Sequence, residues 1–164
     1  LIPVVLFYIF VLPVLSNYIP IKKFFFGHKF STKEIFFIFV SSLTTIIVII
    51  NVFLKDLWGR TRPNEILEFG GDSVFTPWYR FGGSCESNCS FVSGDASVGF
   101  LLVVFYFITK KNIYCYLAML FGSLFGLVRI IAGGHFFSDI VFSQIVVTGS
   151  ICFFFILYKR YYEK

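Results

Sequence analysis

The stretch IYCYLAMLFGSLFGLVRIIAGGHFFSDIVFSQIVVTGSICFFFILY, residues 113–158, decides the architecture. It holds two long apolar runs, 113–132 and 137–158, separated only by Gly133-Gly134-His135-Phe136. Each run meets the requirement of about 20 mostly apolar residues for a helix that crosses hydrocarbon. So short a connection makes the two helices antiparallel. Outward from this pair, further apolar runs lie at 1–19, 35–54 and 93–109, the last gaining its length from a start near Ser93. No polar–apolar alternation of the kind a membrane β-barrel needs is present. The expected class is all-α, a polytopic membrane helical bundle forming a single membrane-embedded domain over 1–164.

Composition agrees with that class. The chain is 57% hydrophobic and 22% aromatic, with a mean hydropathy of +0.84. Charged residues make up 14%, against about 25% in an ordinary soluble domain. The net charge of +5 does not read as a nucleic-acid footprint, because the basic residues cluster beside apolar runs. Lys22, Lys23, His28, Lys29 and Lys33 lie between the first and second runs, Lys110 and Lys111 between the third and fourth, and Lys159, Arg160 and Lys164 after the last. The positive-inside rule places all three clusters in the cytoplasm. Loop 55–92 and residues 133–136 then face outward together. The start, Leu1-Ile2-Pro3, has no charged n-region or cleavage site and reads as the middle of a longer chain.

The outward face carries more cations than orientation alone explains: Lys55, Arg60, Arg62, Arg80 and Arg129. A cation close to hydrocarbon calls for a partner or a function, and Arg129 stands near the end of an apolar run. Three polar stretches converge on this face. They are Lys55-Asp56-Leu57-Trp58-Gly59-Arg60-Thr61-Arg62-Pro63, then Ser90-Phe91-Val92-Ser93-Gly94-Asp95-Ala96-Ser97, then Arg129 through Asp139 with Gly133-Gly134-His135 inside it. Their chemistry points to phosphate. Arg presents a planar fork matched to two phosphate oxygens, and Lys a compact point charge. Ser93-Gly94 opens a helix, where unpaired backbone N–H groups favour an anion. His135 and Asp139 are four apart, a spacing that on a helix stacks them on one face. A carboxylate there holds the imidazole tautomer while the other ring nitrogen attacks.

Lys-x6-Arg-Pro, then Ser-Gly-x, then Arg-x5-His-x3-Asp, in that order over residues 35–158, resembles the PAP2 (type 2 phosphatidic acid phosphatase) superfamily. The resemblance implies a six-helix membrane core, with one helix upstream of Leu1. It implies metal-independent hydrolysis of a phosphate from a membrane lipid through a phosphohistidine, with no cofactor. Lys55, Arg62, Ser93, Gly94 and Arg129 then form the phosphate-binding set, His135 the nucleophile and Asp139 its orienting partner. By the same resemblance the site faces the periplasm from a bacterial inner membrane. The substrate partners are lipid A, a polyprenyl diphosphate or a phospholipid phosphate. Transfer of the phosphate to another lipid, or binding of lipid phosphates without turnover, are the alternative readings.

Two positions depart from the family pattern. Val128 stands where a Ser usually precedes the Arg, and Asp95 where Pro-Ser-Gly is usually followed by His. That His is the family's general acid, and His28 lies on the wrong side to replace it, so Asp95 inherits the role. An Asp is a poorer proton carrier at neutral pH than a His. The expected consequences are a preference for leaving groups that need little protonation, such as a diphosphate or the anomeric phosphate of lipid A, and a more acidic optimum. The Ser-Gly-acidic variant also gives a likeness to lipid A 1-phosphatases. Finally, Cys85 and Cys89 sit four apart in the outward loop. An oxidising compartment permits a disulfide there if the Cα separation allows, and the pair is too small a ligand set for a metal.

Overall fold

The computed structural model describes residues 2–16, 18 and 28–162. Lys22, Lys23 and Lys164 of the basic clusters lie outside the described residues. Helix α1 spans Ile2–Phe10 and α2 Leu12–Leu15. α3 spans Thr32–Leu43 and passes without a break into a π-wound segment, Thr44–Leu54, and then α4, Lys55–Trp58. α5 spans Gly94–Phe100, α6 Val103–Thr109, α7 Ile113–Ile131 and α8 Phe137–Tyr162. The chain is thus a helical membrane bundle. Among the described residues, three helices are long and apolar enough to cross a membrane: Thr32–Leu54, Ile113–Ile131 and Phe137–Tyr162.

Two of the expected runs are not single helices. In the run expected over 1–19, Pro13 lacks the N–H that would bond to Ile9, and the helix breaks between Phe10 and Leu12. Helical bonds resume on either side, from Val11 N to Phe7 O at 2.9 Å and from Ser16 N to Leu12 O at 2.8 Å. The run expected over 93–109 tightens at Leu101 and Leu102. Val104 N there reaches back only three residues, to Leu101 O at 2.9 Å, which is the 3₁₀ pattern.

The tightened helix is also the most closely packed one. A Cβ at Gly99 would lie 2.5 Å from the backbone nitrogen of Gly122, so α5 and α7 touch backbone to backbone. At Gly126 a Cβ would meet Ile140 of α8 at 2.5 Å. Small residues at a helix crossing allow this approach where apolar burial gives membrane helices little reason to associate. Around the crossing, Phe100, Leu101, Val104, Phe105, Tyr114 and Val147 fill the core.

The helices alternate in direction, which sorts the charges. Lys33, Lys110 and Lys159 gather at one end, where Lys110 Nζ lies 4.3 Å and Lys159 Nζ 5.4 Å from the Phe155 ring centre and Lys33 Nζ 5.2 Å from that of Tyr162. The start of α5, the end of α7 and the start of α8 form the other end.

Candidate active site

At that second end, Lys55, Arg62, Asn88, Gly94, Asp95, Arg129 and His135 line one cleft of about 190 Å³. Each comes from a different point of the chain for a local reason. The π-wound segment delivers Lys55, whose N–H bonds to Ile50 O. Arg62 precedes Pro63 in extended conformation, at φ −80° and ψ 155°, as the residue before a proline prefers. Arg129 sits in the last turn of α7. Beyond it the chain turns sharply at Gly133, φ +67°. A Cβ on Gly134 would come 2.8 Å from Arg129 Nη2, so the glycine makes room for the guanidinium.

The cations differ in how they are held. Lys55 Nζ donates to Asn88 Oδ1 at 3.1 Å, and Arg62 Nε and Nη2 donate to the Asn88 carbonyl at 3.2 and 2.7 Å. Arg129 Nε lies 3.0 Å from Asp95 Oδ2 in an ion pair. The alignment is not that of a hydrogen bond, and this buried N–H has no hydrogen-bond partner. Ser93 is brought to the site but not into the cleft. Its hydroxyl caps α5 by accepting from Ala96 N at 3.4 Å, and the residue is fully buried. Of the expected pair Ser93 and Gly94, Gly94 is the one that lines the cleft.

His135 is 3% exposed. Its Nδ1 lies 2.7 Å from the Ser90 carbonyl, an acceptor only, so Nδ1 carries a proton and the neutral ring has its lone pair on Nε2. The expected direct partner, Asp139, stands farther off, with Oδ2 3.6 Å from Nδ1. The reason is that His135 precedes α8, which begins at Phe137, so the helical i,i+4 stacking rule does not reach it. Asp139 is instead enclosed by its own donors. Ser90 Oγ donates to Oδ2 at 2.5 Å, Phe136 N donates to Oδ2 at 2.8 Å, and Arg60 Nη1 forms a close ion pair with Oδ1.

Arg60 is the residue whose role the sequence did not separate from its neighbours. It is 2% exposed. Besides Asp139, it donates to Ser138 Oγ at 2.8 Å and Thr76 O at 2.9 Å, and its guanidinium carbon lies 4.2 Å from the Phe136 ring centre. Burial pulls the Arg60 pKa below its ordinary value, and the charge and hydrogen bond of Asp139 oppose that pull. The only sequence signal was one cation too many on the outward face. Asn88 lies outside the three polar stretches and gave no signal, and the role of Ser90 within the second stretch was hidden because its carbonyl meets the His135 ring. Cys85 and Cys89 are joined in a disulfide, Cα atoms 5.7 Å apart. His28 lies at the start of α3 with Nε2 3.4 Å from Glu34 Oε1, across a 23-residue helix from Lys55.

The chain is similar to known proteins along most of its length. It is 40% identical over 136 residues to the lipid A 4′-phosphatase of Francisella tularensis subsp. novicida (strain U112), which covers 80% of this chain and 60% of that protein. It is 38% identical over 111 residues to the lipid A 4′-phosphatase of Rhizobium leguminosarum, covering 64% of this chain and 48% of that protein. The chain therefore spans about half to three-fifths of the curated relatives it matches. No solved structure matches it. Both relatives carry the name of the 4′-phosphatase, so these comparisons do not support the expected likeness to lipid A 1-phosphatases. The PAP2 superfamily model matches residues 35–163, and with the cleft where its three motifs meet, this chain belongs to the PAP2 superfamily.

Proposed function

We propose that this chain is the catalytic part of a membrane phosphatase that releases phosphate from lipid A or a closely similar phosphoglycolipid, working at the periplasmic face. The observation that carries the reading is the shared cleft: three cations and the ring of His135 open onto one volume of about 190 Å³. Arg129 Nε faces Asp95 Oδ2 at 3.0 Å without hydrogen-bond alignment, which supports an anion site in which a phosphate oxygen competes with that carboxylate for the guanidinium. The gathering of Lys33, Lys110 and Lys159 at the opposite end supports the orientation.

In this reading Lys55, Arg62 and Arg129 hold the non-bridging oxygens of the phosphate. His135 Nε2 attacks phosphorus, the P–N bond forms, and the bond from phosphorus to the lipid oxygen breaks. Charge that develops on the equatorial oxygens is met by donors already in place. Nδ1–H stays on the Ser90 carbonyl, which positions the ring. Water then attacks the phosphohistidine, the P–N bond breaks, and inorganic phosphate leaves.

The proton on the departing lipid oxygen needs a carrier. Asp95 is the carboxylate that lines the cleft, and we assign it to that step and to activation of water in the second. The names of the relatives sharpen this demand. A 4′-phosphate is the ester of an ordinary sugar hydroxyl, not an anomeric one, so the leaving group gains from protonation and the expected preference for easily departing groups is set aside.

The test is phosphate release by the full chain from purified lipid A carrying 1- and 4′-phosphates, undecaprenyl diphosphate and phosphatidic acid, with His135→Ala as blank. Mass spectrometry of the lipid A product locates the phosphate removed. Release confined to the 4′ position supports the reading. Equal release by His135→Ala, or faster turnover of either other lipid, overturns it.

A further inference from the structure

Asn88 belongs to none of the three motifs, yet it touches two of the cleft's cations. It stands in left-handed backbone conformation, φ +49°, which Asn tolerates better than most residues. An Asn in such a turn is ordinarily a turn former and nothing more. Here both of its acceptors are directed away from its own loop. The side-chain oxygen receives Lys55 Nζ and the carbonyl receives Arg62 Nε and Nη2. An ammonium carries three donors and a guanidinium five, so these bonds aim the two groups without exhausting them.

Two residues later, Ser90 performs the matching service for the nucleophile. Its carbonyl receives His135 Nδ1 at 2.7 Å and its hydroxyl binds Asp139 at 2.5 Å. Between them Cys89 is fully buried and bonded to Cys85. Cys85 N donates to Gly59 O at 3.1 Å, and Ser90 N to Arg60 O at 2.8 Å. Those bonds fasten the strap to the turn that carries Arg60 and Arg62. Three consecutive residues therefore register the cations against the attacking ring.

We propose that Asn88 is a positioning residue of the phosphate cleft, and that the Cys85–Cys89 bridge holds it in register. The proposal rests on the phosphatase reading for its meaning, but phosphate binding alone tests it. Preorganised donors bind an anion more tightly than donors that must first be gathered.

The experiment measures the affinity of the full chain in nanodiscs for inorganic phosphate by calorimetry, alongside KM and kcat for lipid A. Asn88→Gly keeps the backbone conformation and the carbonyl and removes only the Lys55 contact. It is expected to weaken phosphate binding about two- to tenfold, the range of one ordinary hydrogen bond. KM should rise by a similar factor and kcat should change less. Asn88→Asp preserves the shape but sets an anion among the cations, and is expected to weaken binding further. Added to Lys55→Met, Asn88→Gly should cause no additional loss, because the contact is already gone. Reductant should weaken phosphate binding by the wild type, while Cys85→Ser/Cys89→Ser is weak from the start and insensitive to reductant. Wild-type affinity and KM in Asn88→Gly, or full additivity with Lys55→Met, overturns the proposal and leaves the phosphatase reading intact. Absence of turnover in the wild type strikes at the phosphatase reading alone, since the phosphate affinities still decide the role of Asn88.

Discussion

Arg60 and Arg62 leave the same short turn, and they meet opposite surroundings. Arg60 is enclosed by Asp139, Ser138, the Thr76 carbonyl and the Phe136 ring. Arg62 is half-buried, lines the cleft, and rests its side chain on a single backbone carbonyl. The contrast extends to the regions around them. Beneath the cleft lies a polar frame of Arg60, Ser90, Ser138 and Asp139, with each charge matched by several partners. The cleft above it gathers three cations around one exposed carboxylate, Asp95. A frame with its bonds satisfied keeps its geometry; a cleft with cations in excess waits for an anion. Burial and satisfaction, rather than residue type, separate the two.

The division predicts that substitutions above and below it fail in different ways. The largest effect belongs to the residue that joins both regions. His135→Ala should lower phosphate release by about 10⁴-fold or more, the scale for losing a nucleophile, while the melting temperature in detergent changes little. Next comes the frame. Arg60→Met leaves Asp139 buried without its counter-charge and should cost about 3–5 kcal/mol of stability, read by chemical denaturation in micelles. Arg60→Lys should not restore it, since an ammonium cannot reproduce the fork shared between Asp139, Ser138 and Thr76. A fully stable Arg60→Met would remove the distinction between the regions.

In the cleft itself, Asp95→Asn should slow turnover about 100-fold, the lower range for a lost proton carrier, while inorganic phosphate binds no more weakly, since the carboxylate beside Arg129 is gone. Undiminished turnover would take Asp95 out of the chemistry. The smallest effect is expected for Arg62→Met, with KM raised about tenfold, or about 1.4 kcal/mol, and stability within about 0.5 kcal/mol of wild type. Should Arg62→Met destabilise the protein as much as Arg60→Met, both arginines belong to the frame.

Much of this was legible in the sequence, and what was missed has a common cause. The long apolar runs gave α7 and α8 to within a few residues, because hydrocarbon imposes length and polarity on a helix directly. The cations of the cleft were legible because charge beside a membrane is conspicuous. Three features were not: the sealing of Arg60, the ring contact through the Ser90 carbonyl, and the acceptors of Asn88. A backbone carbonyl has no residue type, so no letter in the sequence announces it. The spacing of His135 and Asp139 brought them within 3.6 Å but not into a direct hydrogen bond. It measures distance along a helix, and His135 lies just outside the helix to which the rule applies.

The glycine contact between α5 and α7 sets how closely the two helices carrying Asp95 and Arg129 approach each other. Gly99 lies four residues past Asp95, about 6 Å along the helix, and Gly122 lies seven residues before Arg129, about 10 Å. The crossing is thus a fulcrum beneath the jaws that carry Asp95 and Arg129. Nothing but hydrogen atoms separates the arms there, so the jaws close as far as two helices can. A methyl group at Gly99 would meet the Gly122 backbone at 2.5 Å, and one at Gly122 would run into the Phe100 ring, so either would lever the two ends apart.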